Sequence, residues 1–198
     1  MNAKADKKEQ SHAEILESAS RLIREKGVAK TSVAEVMKGA GLTVGGFYAH
    51  FASKEALIDE VIRRAGAETR ERLLRGLDEK PREARAEAAF GRYLSANHRD
   101  ATGKGCPLPA VAGELTTGSG EHREALGEQI TRLADELAPL IAQARGSDSR
   151  DLGLGVVALM VGGLGLSRAV QGSALSDEIL ASCRELARRL LAPSDAEE

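Results

Sequence analysis

The stretch from Thr31 to Leu57 reads TSVAEVMKGAGLTVGGFYAHFASKEAL. It predicts two short helices joined by a tight turn at Ala40-Gly41-Leu42, followed by the capped start of a longer helix. A helix-turn-helix of this kind places its second helix in the major groove of DNA. The stretch therefore favours a DNA-binding function for the N-terminal part of the chain.

Residues that can cap helices stand where these two helices are predicted to begin. Thr31 or Ser32 can cap the first helix, predicted at Val33–Gly39, and Glu35 completes a capping box if Ser32 is the cap. Thr43 can cap the second helix. These signals predict a helix boundary on each side of the turn.

The second short helix, predicted at 44–51, contains the pair Gly45 and Gly46. The two glycines cost the helix roughly 2 kcal/mol of intrinsic propensity and remove two side chains that could contact bases. In return, the backbone can approach the groove closely. Ser53 can cap the longer helix that follows.

The composition is that of a globular helical protein. Of the 198 residues, 42% are hydrophobic, 29% are charged and only 3% are aromatic, a mixture that favours helices. No segment alternates with period two and is rich in β-branched or aromatic residues. The sequence therefore predicts an all-α fold of about nine helices.

Apolar residues at helical spacing mark the helices outside the stretch quoted above. Pro139 falls inside one of them and predicts a kink there. Glycine-containing turns at 118–120 and 146–149 stand before and after the helix that carries Leu126 to Leu140. The predicted helices are 11–26, one that Ser53 caps and that ends near Gly76, 82–98, 107–115, one that carries Leu126 to Leu140, 151–171 and 177–191.

The charges are distributed unevenly along the chain. Residues 1–54 carry nine Lys or Arg against six Asp or Glu, whereas the remainder carries nineteen against twenty-four. This asymmetry is typical of a DNA-binding domain joined to a regulatory body. We predict a DNA-binding domain at 1–54 and a ligand-binding and dimerisation domain at 55–198. Residues 1–10 form either a basic arm for DNA or a solvated tail.

Several function classes lack the residues that they need. The four histidines and two cysteines have no metal-ligand spacing, and no nucleophile–histidine–acid motif or phosphate-binding loop occurs. We therefore expect no metal, no cofactor and no enzymatic activity.

A membrane partner is not expected. The uncharged run from Leu152 to Ser167 holds 16 residues, which is short of the ~18–20 needed to cross a bilayer. The first ten residues contain no apolar signal segment. The sequence predicts a cytoplasmic protein in which this run is a buried helix.

One set of residues carries a family resemblance: Thr31, Val33, Val36, Ala40-Gly41-Leu42-Thr43, Phe47-Tyr48, His50-Phe51 and Ser53-Lys54-Glu55-Ala56-Leu57. In these positions the chain resembles the TetR family of one-component transcriptional regulators. The resemblance implies an all-α homodimer whose N-terminal helix-turn-helix binds DNA and whose C-terminal domain binds an effector that releases the DNA. Met37 and Phe47 depart from the family pattern as compensating core residues, and the glycine pair departs from it as well.

We expect the DNA contacts to come from the helix-turn-helix. Val44 can meet a thymine methyl group, and Tyr48 and His50 can donate hydrogen bonds. Lys54 suits a phosphate near a helix N-terminus. The predicted DNA-binding residues are Thr31, Ser32, Thr43, Val44, Gly45, Gly46, Tyr48, His50 and Lys54.

Two adjacent apolar helices near the C-terminus predict a four-helix dimer interface, although both could instead complete the core of one chain. Small residues recur in the first of them at steps of three and four, which allows another backbone to approach closely. The predicted interface residues are Gly155, Leu159, Gly162, Leu166, Ile179, Leu186 and Leu190.

The candidate effector or redox-sensing residues are Cys106, Phe90 and Tyr93. The two aromatic residues either edge an apolar pocket or fill the core. Cys106 precedes a helix and lies two residues from Lys104, which favours its thiolate, and the flanking glycines predict an accessible thiol. The Gly-Cys pair resembles TetR-like sensors of electrophiles or oxidants, and a small buried residue beside a pocket is the alternative.

These features predict a TetR-like repressor that binds a pseudo-palindromic, double-stranded DNA operator as a homodimer. A small-molecule or thiol-reactive effector releases it. The glycine pair keeps an alternative open, namely a helical small-molecule-binding protein with weak or non-specific DNA binding.

Overall fold

The computed structural model describes residues 3–116, 120–145 and 150–192. Within these ranges the fold is all-α, as predicted, and no strand occurs. Two 3₁₀ segments, Val44–Ala49 and Thr102–Lys104, lie between α-helices. The α-helices are α1 (Ala3–Lys26), α2 (Val33–Gly39), α3 (Lys54–Leu74), α4 (Arg82–Tyr93), α5 (Ala96–Asp100), α6 (Leu108–Leu115), α7 (Arg123–Arg145), α8 (Arg150–Ala169) and α9 (Ala174–Arg189).

Two predicted helix boundaries were wrong. α1 begins at Ala3 rather than at residue 11, so the basic N-terminal residues are helical. The segment predicted as one helix at 82–98 is broken, because Leu94 leaves helical geometry with φ −88° and ψ 49°. Ser95 then caps α5 by accepting a hydrogen bond from the His98 amide at 3.1 Å. An N-cap serine inside a helical pattern is the signal that could have revealed this break.

α7 is continuous through Pro139, and the predicted kink there stays a prediction. The predicted turns around 118–119 and 146–149 lie outside the described residues.

The chain forms two compact units. The first comprises the described residues of Met1–Ala67 and Thr102–Gly127, and the second comprises those of Glu68–Ala101 and Glu128–Glu198. Packing therefore does not divide the chain at residue 54, because the segment that contains α6 packs with the N-terminal helices. The functional division at residue 54 stays a prediction.

The core of the first unit is an apolar cluster that underlies the helix-turn-helix. α1, α2 and α3 contribute fully buried aliphatic side chains, and the 3₁₀ helix contributes Phe47. Val111 of α6 and Ala125 of α7 belong to the same cluster. A polar contact adds to this packing, since Arg24 donates to the carbonyl oxygen of Gly103 at 3.2 Å.

In the second unit, glycines of α8 allow close packing against α7 and α9. A Cβ atom at Gly153 would lie 2.9 Å from the backbone oxygen of Ala134, and one at Gly163 would lie 2.7 Å from Cys183 Sγ. Both distances are below van der Waals contact, so larger residues at these positions would separate the helices. Cys183 is half-buried, and burial raises the pKa of its thiol.

One helix among the described residues, Asp151–Ala169, is long and apolar enough to span a membrane by length and composition. Its mean hydropathy is 1.7, and 39% of the apolar window is buried within the chain. A Cβ atom at Gly155 or Gly162 of this helix would meet no other atom within 4 Å, so these two positions are not packed within the chain.

Candidate nucleic-acid interface

α2 begins at a capping box. The Ser32 hydroxyl accepts a hydrogen bond from the Glu35 amide at 3.3 Å, and a Glu35 carboxylate oxygen accepts one from the Ser32 amide at 3.1 Å. Lys26 contacts the same carboxylate at 2.6 Å. The hydrogen bonds from Lys26 and Ser32 lower the pKa of Glu35 to about 2. The capping box predicted from Ser32 and Glu35 is confirmed.

The turn between α2 and the next helix depends on Gly41. Its φ of +70° lies in the left-handed region that favours glycine. The amide of Leu42 donates to the Met37 carbonyl at 2.9 Å, which closes the end of α2. This turn sets the direction in which the following helix leaves the core.

The second helix of the motif, Val44–Ala49, is a 3₁₀ helix and is shorter than the α-helix predicted at 44–51. We call it the recognition helix. Its glycine pair weakens α-helical propensity, and the Gly46 amide donates to the Thr43 carbonyl at 3.0 Å. Thr43 has extended backbone at the cap position, but its side chain makes no capping hydrogen bond. The predicted capping role of this hydroxyl is therefore wrong.

The recognition helix buries one side chain and exposes most of the others. Phe47 is 0% exposed, whereas Val44 is 50% exposed and Tyr48 is 75% exposed. Phe51, which follows the helix, is buried and stacks on Phe47 with ring centroids 5.7 Å apart. Gly45 faces open space. The helix thus presents Val44, Gly45 and Tyr48 outward on an aromatic base.

Thr31 does not belong to this exposed surface. It is 3% exposed, and its hydroxyl donates to the Gly27 carbonyl oxygen at 2.7 Å. The prediction that Thr31 contacts a phosphate is corrected on this ground, because the hydroxyl stabilises the turn after α1. Ser32 is exposed, but its hydroxyl is engaged in the capping box.

The start of α3 lies beside the motif, as predicted. Ser53 caps the helix by accepting from the Ala56 amide at 3.2 Å. The Glu55 backbone amide and the Ser53 hydroxyl lower the pKa of the Glu55 carboxyl. Lys54 is half-buried, and its Nζ lies 3.4 Å from the Val28 carbonyl oxygen. At the upper end of the hydrogen-bond range, this contact leaves the ammonium group capable of meeting a phosphate.

His50 is half-buried at the end of the recognition helix. Its Nδ1 atom is buried and has no hydrogen-bond partner among the described residues. A proton on Nδ1 would lack an acceptor, so the neutral ring is expected to carry its proton on Nε2. Burial, and then repulsion from His12 and Lys8, lower the pKa of His50. His50 is therefore neutral at neutral pH and still able to donate from Nε2.

We expect His50 to make the folded state less stable in acid. Its pKa is lowered from 6.5, so below that pH the unfolded chain binds a proton that the folded chain does not bind. The free energy of unfolding should fall as the pH drops below about 6.5, and the fall should be smaller in His50→Gln. Urea unfolding at about pH 7.5 and about pH 5.5 measures both. An identical pH dependence in the two proteins would contradict the prediction.

The predicted dimer residues divide into two groups. Gly155, Gly162, Leu166 and Leu186 are exposed, and the exposed fraction of Leu166 is 62%. The others, Leu159, Ile179 and Leu190, are half-buried. A Cβ atom at Gly155 or Gly162 would meet no atom within 4 Å.

The predicted effector residues do not lie in one compact unit. Cys106 belongs to the first unit, whereas Phe90 and Tyr93 belong to the second. Cys106 is 1% exposed, so the predicted accessibility of its thiol is wrong. The flanking glycines do not open the segment, because Gly105 and Pro107 are themselves buried.

Phe90 and Tyr93 are buried in the second unit, at 2% and 1% exposure. Tyr93 packs edge-on against His98, with ring centroids 4.7 Å apart. Phe90 lines a groove of about 530 Å³ between α4 and α9. Five charged side chains also line this groove, namely Lys80, Glu87, Arg184, Glu185 and Arg188. The groove beside Phe90 is therefore lined by both charged and apolar side chains rather than by aliphatic side chains alone.

Comparison with known proteins identifies the motif. Residues 15–61 match the model of the family described as "Bacterial regulatory proteins, tetR family". These residues include the second half of α1, all of α2, the recognition helix and the first turns of α3.

Residues 15–61 belong to the TetR family.

The chain is also similar to proteins named as helix-turn-helix transcriptional repressors. The repressor KstR2 of Mycobacterium tuberculosis is 44% identical over 50 residues, which are 25% of each chain. KstR2 of Rhodococcus jostii is 28% identical over 151 residues, which are 73% of this chain and 62% of that protein. The chain thus spans less than two thirds of the length of these relatives.

Solved structures share the TetR fold across both units. The structure of E. coli NemR in its reduced form is similar, with a TM-score of 0.78 and 19% identity. The match covers 94% of this chain and 100% of the NemR chain. A TetR-family regulator from Streptomyces coelicolor has a TM-score of 0.75 and 18% identity, with 92% and 97% coverage. At these identities the likeness establishes the fold.

No group of three or more His, Cys, Asp or Glu side chains that could hold a metal ion occurs in the described part of the chain. Val44 and Tyr48 are exposed, whereas His50 and Lys54 are half-buried.

Proposed function

We propose that this protein is a transcriptional repressor that binds a pseudo-palindromic operator as a homodimer and is released by a small-molecule effector. The observation that carries the proposal is the recognition helix, where Val44 and Tyr48 are exposed and Phe47 between them is buried. Large apolar side chains exposed on a rigid base are expected at a binding surface. The name of KstR2, a repressor, supports repression as the sign of regulation.

Five residues of the proposed interface have an assigned role. Val44 meets a thymine methyl group, and the Tyr48 hydroxyl donates to a phosphate. His50 donates from Nε2 without needing a positive charge, and Lys54 pairs with a phosphate. Gly45, which faces open space, lets the backbone approach the DNA. The proposed interface also includes Gly46, Thr43 and Ser32.

A homodimer is supported by the exposed face of α8 and α9. Gly155 and Gly162 are open to solvent, and Leu166 and Leu186 expose 62% and 50% of their surfaces. Burying apolar side chains and small residues against a second copy would remove this surface from water. Two copies related by a two-fold axis would present their recognition helices to half-sites ~34–36 Å or more apart.

The effector is proposed to be a reversible small molecule rather than a thiol-reactive compound. The burial of Cys106 favours this choice, because a reactive sensor thiol needs solvent access. As a transcriptional regulator, the protein is proposed to act in the cytoplasm. The apolar face of α8 would then be covered by a second subunit rather than by lipid.

Cys106 is expected to react slowly in the folded protein. In a Cys183→Ser background, its labelling by Ellman's reagent should be at least about tenfold slower than in urea, because the thiol reacts only after local opening. The comparison of folded and unfolded rates measures this protection. Fast, complete labelling of the folded protein would contradict the burial argument and restore the thiol-switch hypothesis.

Selection from random double-stranded DNA tests the proposed function. Purified protein should enrich a pseudo-palindrome and bind it at least about 10³-fold more tightly than scrambled DNA. Affinity should also fall steeply as salt rises. Salt-sensitive binding without any sequence preference would favour the alternative of a helical small-molecule-binding protein with non-specific DNA binding.

A further inference from the structure

The turn after α1 is held by a carboxylate from α6. One oxygen of Glu114 accepts a hydrogen bond from the Val28 amide at 2.9 Å, and the other accepts one from the Ala29 amide at 2.7 Å. Hydrogen bonds from two successive amides to one ionised carboxylate are charge-assisted and therefore strong. We call this arrangement, Glu114 with Val28 and Ala29, the Glu114 clamp.

Gly27 makes room for the clamp. Its φ of +86° lies in the left-handed region, as a glycine that ends a helix requires. A Cβ atom at this position would also lie 1.7 Å from Oε1 of Glu114. The glycine is thus needed twice, once for the backbone conformation and once for the carboxylate.

The position of Glu114 in α6 is locally unfavourable. It lies in the last turn of α6 (Leu108–Leu115), where the helix dipole disfavours a negative charge. The contact with the turn offsets this local disadvantage. A conflict between local preference and a tertiary contact is frequent at functional positions.

Val28 contacts both Glu114 and Lys54, a proposed DNA-binding residue. The Val28 amide donates to Glu114, and the Val28 carbonyl oxygen lies 3.4 Å from Lys54 Nζ. Thr31, at the other end of the turn, bonds back to Gly27. A displacement of α6 would therefore move the turn and alter the support of Lys54.

We propose that Glu114 is a positioning residue that couples α6 to DNA affinity. With the clamp closed, the turn and Lys54 are held in the arrangement that binds phosphate. With the clamp open, that arrangement is only a fraction of the population, and the apparent affinity falls by this fraction. The proposal rests on the proposed DNA-binding function.

The test compares operator binding by the wild type, Glu114→Ala, Glu114→Gln and the control Glu17→Gln, at a temperature well below unfolding. Glu17 is exposed on α1. Loss of a negative charge by itself strengthens DNA binding or leaves it unchanged. The clamp predicts the opposite for Glu114. Glu114→Ala should raise the Kd for the operator about tenfold. Glu114→Gln should raise it less, because glutamine keeps one acceptor oxygen.

Salt dependence separates positioning from a purely structural role. If the open clamp loses the phosphate contact of Lys54, the slope of log affinity against log salt should fall by about 0.9. A destabilised but folded protein would keep the wild-type slope. Glu17→Gln should keep it as well.

A double-mutant cycle with Lys54→Ala separates the clamp from an unrelated effect. Lys54→Ala alone should weaken operator binding, because the proposed phosphate contact is lost. In the Glu114→Ala background it should have a much smaller effect, because the open clamp has already lost that contact. Thermal unfolding of every variant verifies that the protein is folded at the temperature used.

The outcomes are distinguishable. Operator affinity and salt slope that stay at the wild-type level in folded Glu114→Ala would overturn the clamp and leave the proposed function standing. Additive effects in the cycle would also overturn it. If the wild type itself prefers no DNA sequence, the proposed function fails, and the coupling proposal fails with it.

Discussion

Replacing Gly162 with arginine is expected to convert the proposed homodimer to a monomer and to weaken operator binding by roughly 10²–10⁴-fold. Gly162 is exposed on α8, and a Cβ atom there would meet nothing within 4 Å in the single chain. A long charged side chain therefore fits one subunit without strain. It would not fit between two closely packed helices, where an unpaired charge is also costly.

The monomer itself should not be destabilised by this substitution. Glycine in a helix interior is about 1 kcal/mol less favourable than alanine, so arginine improves the helix propensity of α8. Sedimentation velocity measures the oligomeric state, and fluorescence anisotropy with a full operator and a half-site measures binding. The loss should be large for the full operator and small for the half-site, because only the full site engages two subunits.

Gly127→Arg is the matched control. Gly127 is likewise exposed in a helix, and a Cβ atom there meets nothing within 4 Å, but it lies on α7, outside the proposed interface. It should remain dimeric and bind the operator normally. A dimeric Gly162→Arg protein would place the interface elsewhere, and a monomeric wild type would contradict the homodimer.

Truncating Phe47 to alanine is expected to cost about 3–5 kcal/mol of unfolding free energy. The side chain is 0% exposed and stacks on Phe51 within the apolar cluster of the first unit. Its removal leaves a cavity among α1, α2 and α3 that their side chains can fill only in part. Urea unfolding monitored by circular dichroism measures the loss.

Truncation of the neighbouring Tyr48 should weaken DNA binding without a large loss of stability. At 75% exposure, its truncation to alanine should change the free energy of unfolding by no more than about 0.5 kcal/mol. Operator affinity should nevertheless fall about tenfold or more, as expected for the loss of a phosphate hydrogen bond and its apolar contact. Equal stability losses in the two variants, or normal DNA binding by Tyr48→Ala, would contradict this assignment.

Much of the first unit could be predicted because its signals are local. The capping box of Ser32 and Glu35, the turn glycine Gly41 and the cap Ser53 all act within four residues. Such short-range hydrogen bonds depend on residue type and spacing alone. The all-α class followed equally from composition and periodicity.

Other local features differ from the prediction where two short-range preferences compete. The charged start of α1 is helical in spite of its polarity, and the glycine pair yields a 3₁₀ helix instead of the predicted α-helix. Ser95 caps α5 within a pattern that is helical on both sides of it, so the sequence equally permits one continuous helix. In each case the residue types permit both outcomes, and the packing of the finished fold selects one.

Burial is the property that the sequence alone could not assign. Cys106 is buried despite flanking glycines, and Thr31 turns its hydroxyl inward to Gly27. Adjacent glycines in α8 have opposite surroundings, because Gly162 faces open space and Gly163 faces Cys183. A helix pattern gives the spacing of residues on a face, whereas the neighbouring elements determine which face is covered.

The sequence by itself determined the helical class, the helix-turn-helix and the family to which they belong, because these depend on local propensity and fixed spacing. Only the tertiary structure decided which side chains of the motif face outward and how the turn after α1 is held. Glu114 is 86 residues from Val28 along the chain. No periodicity or motif connects two positions so far apart, and only the folding of α6 against α1 brings that carboxylate to the amides that it binds.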